Sequence, residues 1–174
     1  MFCQCILKAV YNTVMRILGI DPGYERLGIA VLQKTTDKET VIFSECFKTS
    51  AKIKFEGRLL LIGKEVEKII KEYQPDVMAI ETLFLNTNQK TVMHVAEARG
   101  VILYEAIKVG LKIFEASPPQ IKMATTGYGG ASKEQIIKMV KMLVDIPQSK
   151  TKESDDELDA IAIALTAFAH IKSI

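Results

Sequence analysis

This sequence of 174 residues is short of cysteine, of histidine, of excess charge and of long apolar runs, and each shortage removes a class of protein. Its three cysteines, Cys3, Cys5 and Cys46, make no disulfide framework, and Cys3-Gln4-Cys5 lacks the further ligand pair of a zinc site. A reducing cytoplasm is the expected compartment. The only histidines, His94 and His170, stand alone on helical stretches and are expected to be structural. The longest apolar runs, such as "AIAIALTAFA" at 160–169, fall well short of a membrane span, so no membrane association is expected. A net charge of only +2 gives no overall basic signature, so an anionic partner would have to be held locally. Internal repeats and low-complexity segments are absent from the sequence.

What is present is a chain 48% hydrophobic and 25% charged, long enough for one domain with a substantial core. Residues 1–14, "MFCQCILKAVYNTV", carry one charge and lack the layout of a signal peptide; we expect an N-terminal extension, possible as a start-site artefact, followed by a single domain over 15–174. "RILGI", "LGIAVLQ" and "TVIFSECFKT" predict three strands joined by turns, an antiparallel meander. A helical stripe of Leu59, Ile62, Val66, Ile69, Ile70 and Tyr73 stops before Pro75. A short strand at 76–81, a helix from 89 to a Gly110 cap, and a strand at 111–117 follow. After Pro118 and Pro119 come a short helical piece at 120–126, a "GYGGAS" loop and a helix at 133–144. Ser154 with Glu157 reads as a capping box that opens a last helix running to about Ile171. Strands first, then alternating helices and strands, imply an α/β fold with a five-stranded mixed sheet and helices on both faces.

Strand alternation places Ile17, Gly19 and Asp21 on one face, and Val77, Ala79 and Glu81 on one face of the fourth strand. Each strand therefore ends in a carboxylate on an otherwise apolar face, which is costly unless the group is solvated, paired or bound to a metal. In "SDDELDAIAIA", Asp156 and Asp159 share a helix face at i and i+3, and Asp155 and Asp159 fit i and i+4 equally. Acids in a first helical turn suit the helix dipole, but Asp159 lies deeper and is followed by an almost wholly apolar run. If these acids converge, mutual repulsion raises their pKa values and a divalent cation relieves it. Carboxylate oxygens are the hard ligands that Mg²⁺ prefers, and two such ions suit phosphodiester cleavage.

The blocks "GIDPG", "AIETLF", "AEARG", "PPQIKMATTGYGGASKEQ" and "DDELDAIAIA" together closely resemble the RuvC family of Holliday (crossover) junction endodeoxyribonucleases, in order from about Met15 to His170. The resemblance implies a ribonuclease H-like fold and a homodimer that nicks a four-way DNA junction symmetrically, leaving 5′-phosphate and 3′-hydroxyl ends. It implies two Mg²⁺ ions per subunit, with Mn²⁺ as a substitute, held by the catalytic acids Asp21, Glu81, Asp156 and Asp159; the alignment chooses Asp156 over Asp155, which helical geometry does not. It assigns Phe84 to junction bases and Lys122 and Lys133 to DNA phosphates, with Asn88 and Arg99 as weaker candidates, Arg99 alternatively ordering the helix beneath the site or a dimer contact. RuvA and RuvB, the branch-migration proteins, are the implied partners, and recombination and repair in the cytoplasm the implied setting. The alternatives are a ribonuclease H-like nuclease acting on other branched DNA or structured RNA, a noncatalytic junction-binding protein, and an actin-like kinase. The last needs two such domains, and this chain has room for one.

Overall fold

The computed structural model describes residues 14–34, 38–83, 89–146 and 153–171. Strands β1 (Met15–Asp21), β2 (Arg26–Lys34) and β3 (Glu39–Lys48) form the antiparallel meander expected from their alternation. Helix α1 (Phe55–Tyr73) then leads to β4 (Val77–Glu81), and α2 (Gln89–Lys108) leads to β5 (Lys112–Ala116). Both later strands are parallel to β1, giving the sheet order β3-β2-β1-β4-β5. Helices α3 (Pro118–Thr126), α4 (Lys133–Leu143) and α5 (Asp155–His170) complete the described chain.

The sheet divides the core in two, as the period of two demands. Leu18, Ile20, Ile29, Met78 and Ile80 pack against Ile62, Val66 and Ile69 of α1 and Ala98 and Ile102 of α2. Ile17, Ala30, Val77, Ala79 and Ala116 face the other way, against α5 and against Ile121 of α3 and Val140 of α4. Strands buried on both faces read as continuous apolar runs, which is how "RILGI" and "DVMAI" appear in the sequence. Helix α5 is buried almost all round from Leu158 to Phe168, so its apolar run belongs to the core.

Helix α5 lies unusually close to the sheet because the strands beneath it carry glycine. A β-carbon on Gly19 would stand 2.2 Å from the Ala160 carbonyl oxygen, and one on Gly28 would stand 2.1 Å from the Asp156 carbonyl oxygen. No side chain fits at either distance.

Helix ends follow local chemistry. The Ser154 hydroxyl accepts the Glu157 N–H at 3.3 Å while Glu157 Oε1 accepts the Ser154 N–H at 3.3 Å, the capping box expected there. Helix α2 stops at Lys108, and Gly110 (φ 79°) follows in the left-handed region; the Leu111 N–H reaches the Ala106 carbonyl at 3.0 Å. One boundary differs from expectation: α3 begins at Pro118 rather than after the two prolines. Ser117 caps it and both prolines occupy its first two positions, where a missing N–H leaves no intrahelical bond unmade.

Candidate active site

Asp21 and Glu81 end adjacent parallel strands, one residue beyond the Ile20–Ile80 pairing, on the face covered by α5. The first turns of α5 bring Asp156 and Asp159 to the same edge. Burial raises the Asp21 carboxyl first, and the charges of Asp159, Glu81 and Asp156 add to it, pushing its pKa up to about 7. Burial and then Asp159 push Glu81 up. Burial also raises Asp159, against the pull of Lys133. The acids expected from the sequence are thus brought within electrostatic reach of one another around Asp21.

Two cations already hold the outer acids. Burial pushes Asp156 upward, but hydrogen bonds from Arg26 and Cys46 outweigh it and keep this carboxyl below its ordinary range. Arg26 Nε donates to Asp156 Oδ2 at 2.9 Å, its Nη2 makes a second short contact to the same oxygen, and the Cys46 thiol donates at 3.4 Å. Lys133 Nζ, at the start of α4, stands 3.0 Å from Asp159 Oδ2 and 3.6 Å from Asp155 Oδ2. Asp155 is exposed and turned to that lysine, whereas Asp156 is among the charges that act on Asp21.

The donor set fits a hard divalent cation: carboxylate oxygens only, three of the four pushed above their ordinary pKa by burial and neighbouring charge, and two basic side chains drawn to them. Among the described residues no group of three or more His, Cys, Asp or Glu side chains stands close enough to hold a metal ion. Asp156 and Asp159 are paired instead with Arg26 and Lys133.

Two positioning features, Arg26 and Gly28, carry no motif in the sequence. Arg26 lies 130 positions from Asp156, so its pairing is a product of the fold. Gly28, the β2 partner of Asp21, leaves room for both the Asp156 backbone and Asp21 Cβ, which a β-carbon would meet at 3.0 Å. Its only signal was a glycine inside a strand, a mark of close backbone approach. Arg99 donates to the Glu81 carbonyl at 3.2 Å and to Glu115 Oε2 at 2.5 Å, so it ties α2 beneath the end of β4. Lys122 is half-buried on α3. Phe84 and Asn88 lie outside the described residues. His94 stacks on Phe55 with ring centroids 4.0 Å apart, and His170 Nδ1 meets the Thr166 carbonyl at 2.8 Å, both packing roles.

A five-stranded mixed sheet with carboxylates at the ends of its first and fourth strands, facing a buried helix that brings two more, defines a ribonuclease H-like nuclease. The family profile described as crossover junction endodeoxyribonuclease RuvC matches residues 17–167. Over 150 residues the chain is 43% identical to the crossover junction endodeoxyribonuclease RuvC of Thermosipho melanesiensis, covering 86% of this chain and 94% of that one. The structure of T. thermophilus RuvC in complex with Holliday junction substrate matches with a TM-score of 0.81 at 30% identity, over 88% of this chain and 93% of that one. The yeast mitochondrial Holliday junction resolvase Ydc2 shares the fold at 15% identity, with a TM-score of 0.66 over 87% of this chain and 77% of its own. The chain belongs to the RuvC family of crossover junction endodeoxyribonucleases.

Proposed function

We propose that this protein resolves four-way (Holliday) DNA junctions by paired symmetric nicks, in recombination and repair, through metal-dependent phosphodiester hydrolysis. The observation that carries the reading is the gathering of Asp21, Glu81, Asp156 and Asp159 at one sheet edge in a chain of this family. Nucleases of the family depend on metal ions; for this chain we assign two Mg²⁺ ions, with Mn²⁺ as a substitute. Bound at the acids, Mg²⁺ would supply the charge that favours ionised carboxylates, stabilises phosphate oxygens and acidifies water.

The protein's own groups have distinct tasks. Asp21 and Glu81 present oxygens from rigid strands, while Asp156 and Asp159 present theirs from a helix seated in the core. Lys133 exchanges Asp159 for a DNA phosphate, and Lys122 of α3 is assigned a second phosphate contact. Phe84 and Asn88 are assigned to junction DNA by the family resemblance. We take residues 15–174 as one nuclease domain, supported by the extent of the profile match and by a single sheet covered on both faces.

Paired nicks at a symmetric junction call for two centres related by a twofold axis, so the working unit is a homodimer. Helix α2 offers the face for it: Met93, Tyr104 and Ile107 are exposed along one side, and a β-carbon on Gly100 between them would meet nothing within 4 Å. Among the described residues no helix is long and apolar enough to cross a membrane, and we place the protein with its DNA in the cytoplasm. Partnership with RuvA and RuvB rests on the family alone.

The test compares a synthetic four-way junction with a linear duplex of the same sequence, in Mg²⁺ and in Ca²⁺. Mg²⁺-dependent paired nicking of the junction alone is the expected result. Equal cutting of both substrates, or junction binding without cleavage, would overturn the reading.

A further inference from the structure

Tyr128 is 65% exposed, yet its backbone is hydrogen-bonded at both N–H and carbonyl. Its N–H donates to Thr126 Oγ1 at 3.1 Å, its carbonyl accepts the Ala131 N–H at 3.1 Å, and the same carbonyl lies 3.0 Å from the Thr126 hydroxyl. The surrounding "GYGG" supplies little else: Gly127 (φ 72°) ends α3, and Gly129 and Gly130 carry no side chains. The ring lies across Gly130, where a β-carbon would stand 2.6 Å from Tyr128 Oη and 2.7 Å from Cζ. Beside it, Met123 is 54% exposed and its Cε lies 3.8 Å from the β-carbon position of Gly129. The fold therefore fixes the chain and leaves an aromatic ring and a thioether facing solvent.

The place of this patch says what covers it. Lys122 precedes Met123 on α3, and Lys133 begins α4 five residues after Tyr128, with its ammonium 3.0 Å from Asp159 at the acid centre. An exposed ring and thioether, on the chain between Lys122 and a Lys133 that reaches the acid centre, match what a nucleic acid strand presents once a base has left its stack: a π-face between phosphates. A linear duplex keeps its bases stacked, whereas a branch point can offer one.

We propose that Tyr128, with Met123 beside it, is a stacking platform for an unstacked base of the junction strand that passes the acid centre. The inference rests on the reading of the protein as a junction nuclease and adds a base-contacting residue on the α3–α4 side of the site, separate from the segment that follows Glu81.

Stacking contacts release no counterions, while lysine–phosphate contacts do, so salt dependence separates them. The experiment measures junction binding in Ca²⁺ across a salt series, with 2-aminopurine placed in turn at bases next to the cleavage position. Tyr128→Ala is expected to weaken binding about tenfold with an unchanged salt slope, and to brighten 2-aminopurine at one position. Tyr128→Phe should keep wild-type affinity and quenching, because the ring is the contact. Gly130→Ala, which displaces the ring without removing it, should reduce the quenching. Wild-type affinity and quenching in Tyr128→Ala would overturn the proposal, and so would a flattened salt slope, which would make the tyrosine a support for a lysine. A wild-type protein with no preference for the junction over linear duplex would remove the function and this inference together. Junction preference that survives with no Tyr128 effect would remove the inference alone.

Discussion

At Asp21, burial and neighbouring charge act in the same direction, and the result is a carboxyl that holds its proton to about pH 7 in the metal-free protein. Substitution by the uncharged isostere should therefore leave the fold intact while removing the group that the other acids surround. We expect Asp21→Asn and Asp159→Asn each to lower Mg²⁺-dependent junction cleavage by at least a hundredfold, with junction binding in Ca²⁺ within a few-fold of wild type; gel-based cleavage and binding assays measure both. Arg26 works differently, since it competes with any cation for Asp156. Arg26→Ala should tighten Mn²⁺ binding to the DNA-free protein by a few-fold only, because a half-exposed pair is screened by water. Titration followed by electron paramagnetic resonance reads this without any cleavage step. The acids at the ends of β1 and β4 were legible in the sequence because a period of two puts them on an apolar face, where a charge demands explanation. Arg26 was not legible, because nothing local marks a partner that arrives only when α5 docks.

The element that decides the geometry is α5, and its depth is set by residues that contribute no side chain. Gly28→Ala would drive a β-carbon into the Asp156 carbonyl, so the first turn of α5 has to lift from the sheet. We expect a loss of about 1–3 kcal/mol in stability from overpacking. Cleavage should fall further than stability implies, on the order of a hundredfold, because misplacement by about 1 Å suffices for that. Thermal melts set beside single-turnover rates test the pair of effects. Helix α2 makes a contrasting case, since among the described residues Met93, Tyr104 and Ile107 stay exposed along its outer face. Ile107→Glu should leave the melting temperature nearly unchanged and convert a dimer to a monomer by light scattering, with loss of paired nicking. Helix positions were legible from apolar stripes and from the Ser154 capping box. The start of α3 was misplaced because prolines read as breakers until a capping serine shows them to be the first turn, and spacing alone left Asp155 and Asp156 equivalent, since only packing leaves one in solvent beside Lys133 and sets the other against Arg26 and Cys46, where its charge acts on Asp21.

For the molecule as a whole, an acid centre assembled at the edge of the core makes stability depend on pH and on cations. Asp21 has a folded pKa near 7 against an ordinary value of 3.8, so between those limits the unfolded chain has lost a proton that the folded chain keeps. Its contribution to stability is present below about pH 4, declines as pH rises toward 7, and is on the order of 4 kcal/mol. Glu81 and Asp159 act in the same sense, and Asp156, held low, acts in the opposite one. The metal-free protein should accordingly melt lower at pH 8 than at pH 6, and Mg²⁺ should raise the melting temperature more at pH 8. Asp21→Asn should flatten the pH difference. A pH-independent melt in wild type would contradict the raised carboxyl pKa values assigned to this centre. The four acids stand at positions 21, 81, 156 and 159, in the first strand, the fourth and the last helix. No early-formed portion of the chain holds more than two of them, and α5 also supplies nearly half of the buried core on its face of the sheet. During synthesis the four acids therefore stay apart until this helix has left the ribosome and docked on the sheet.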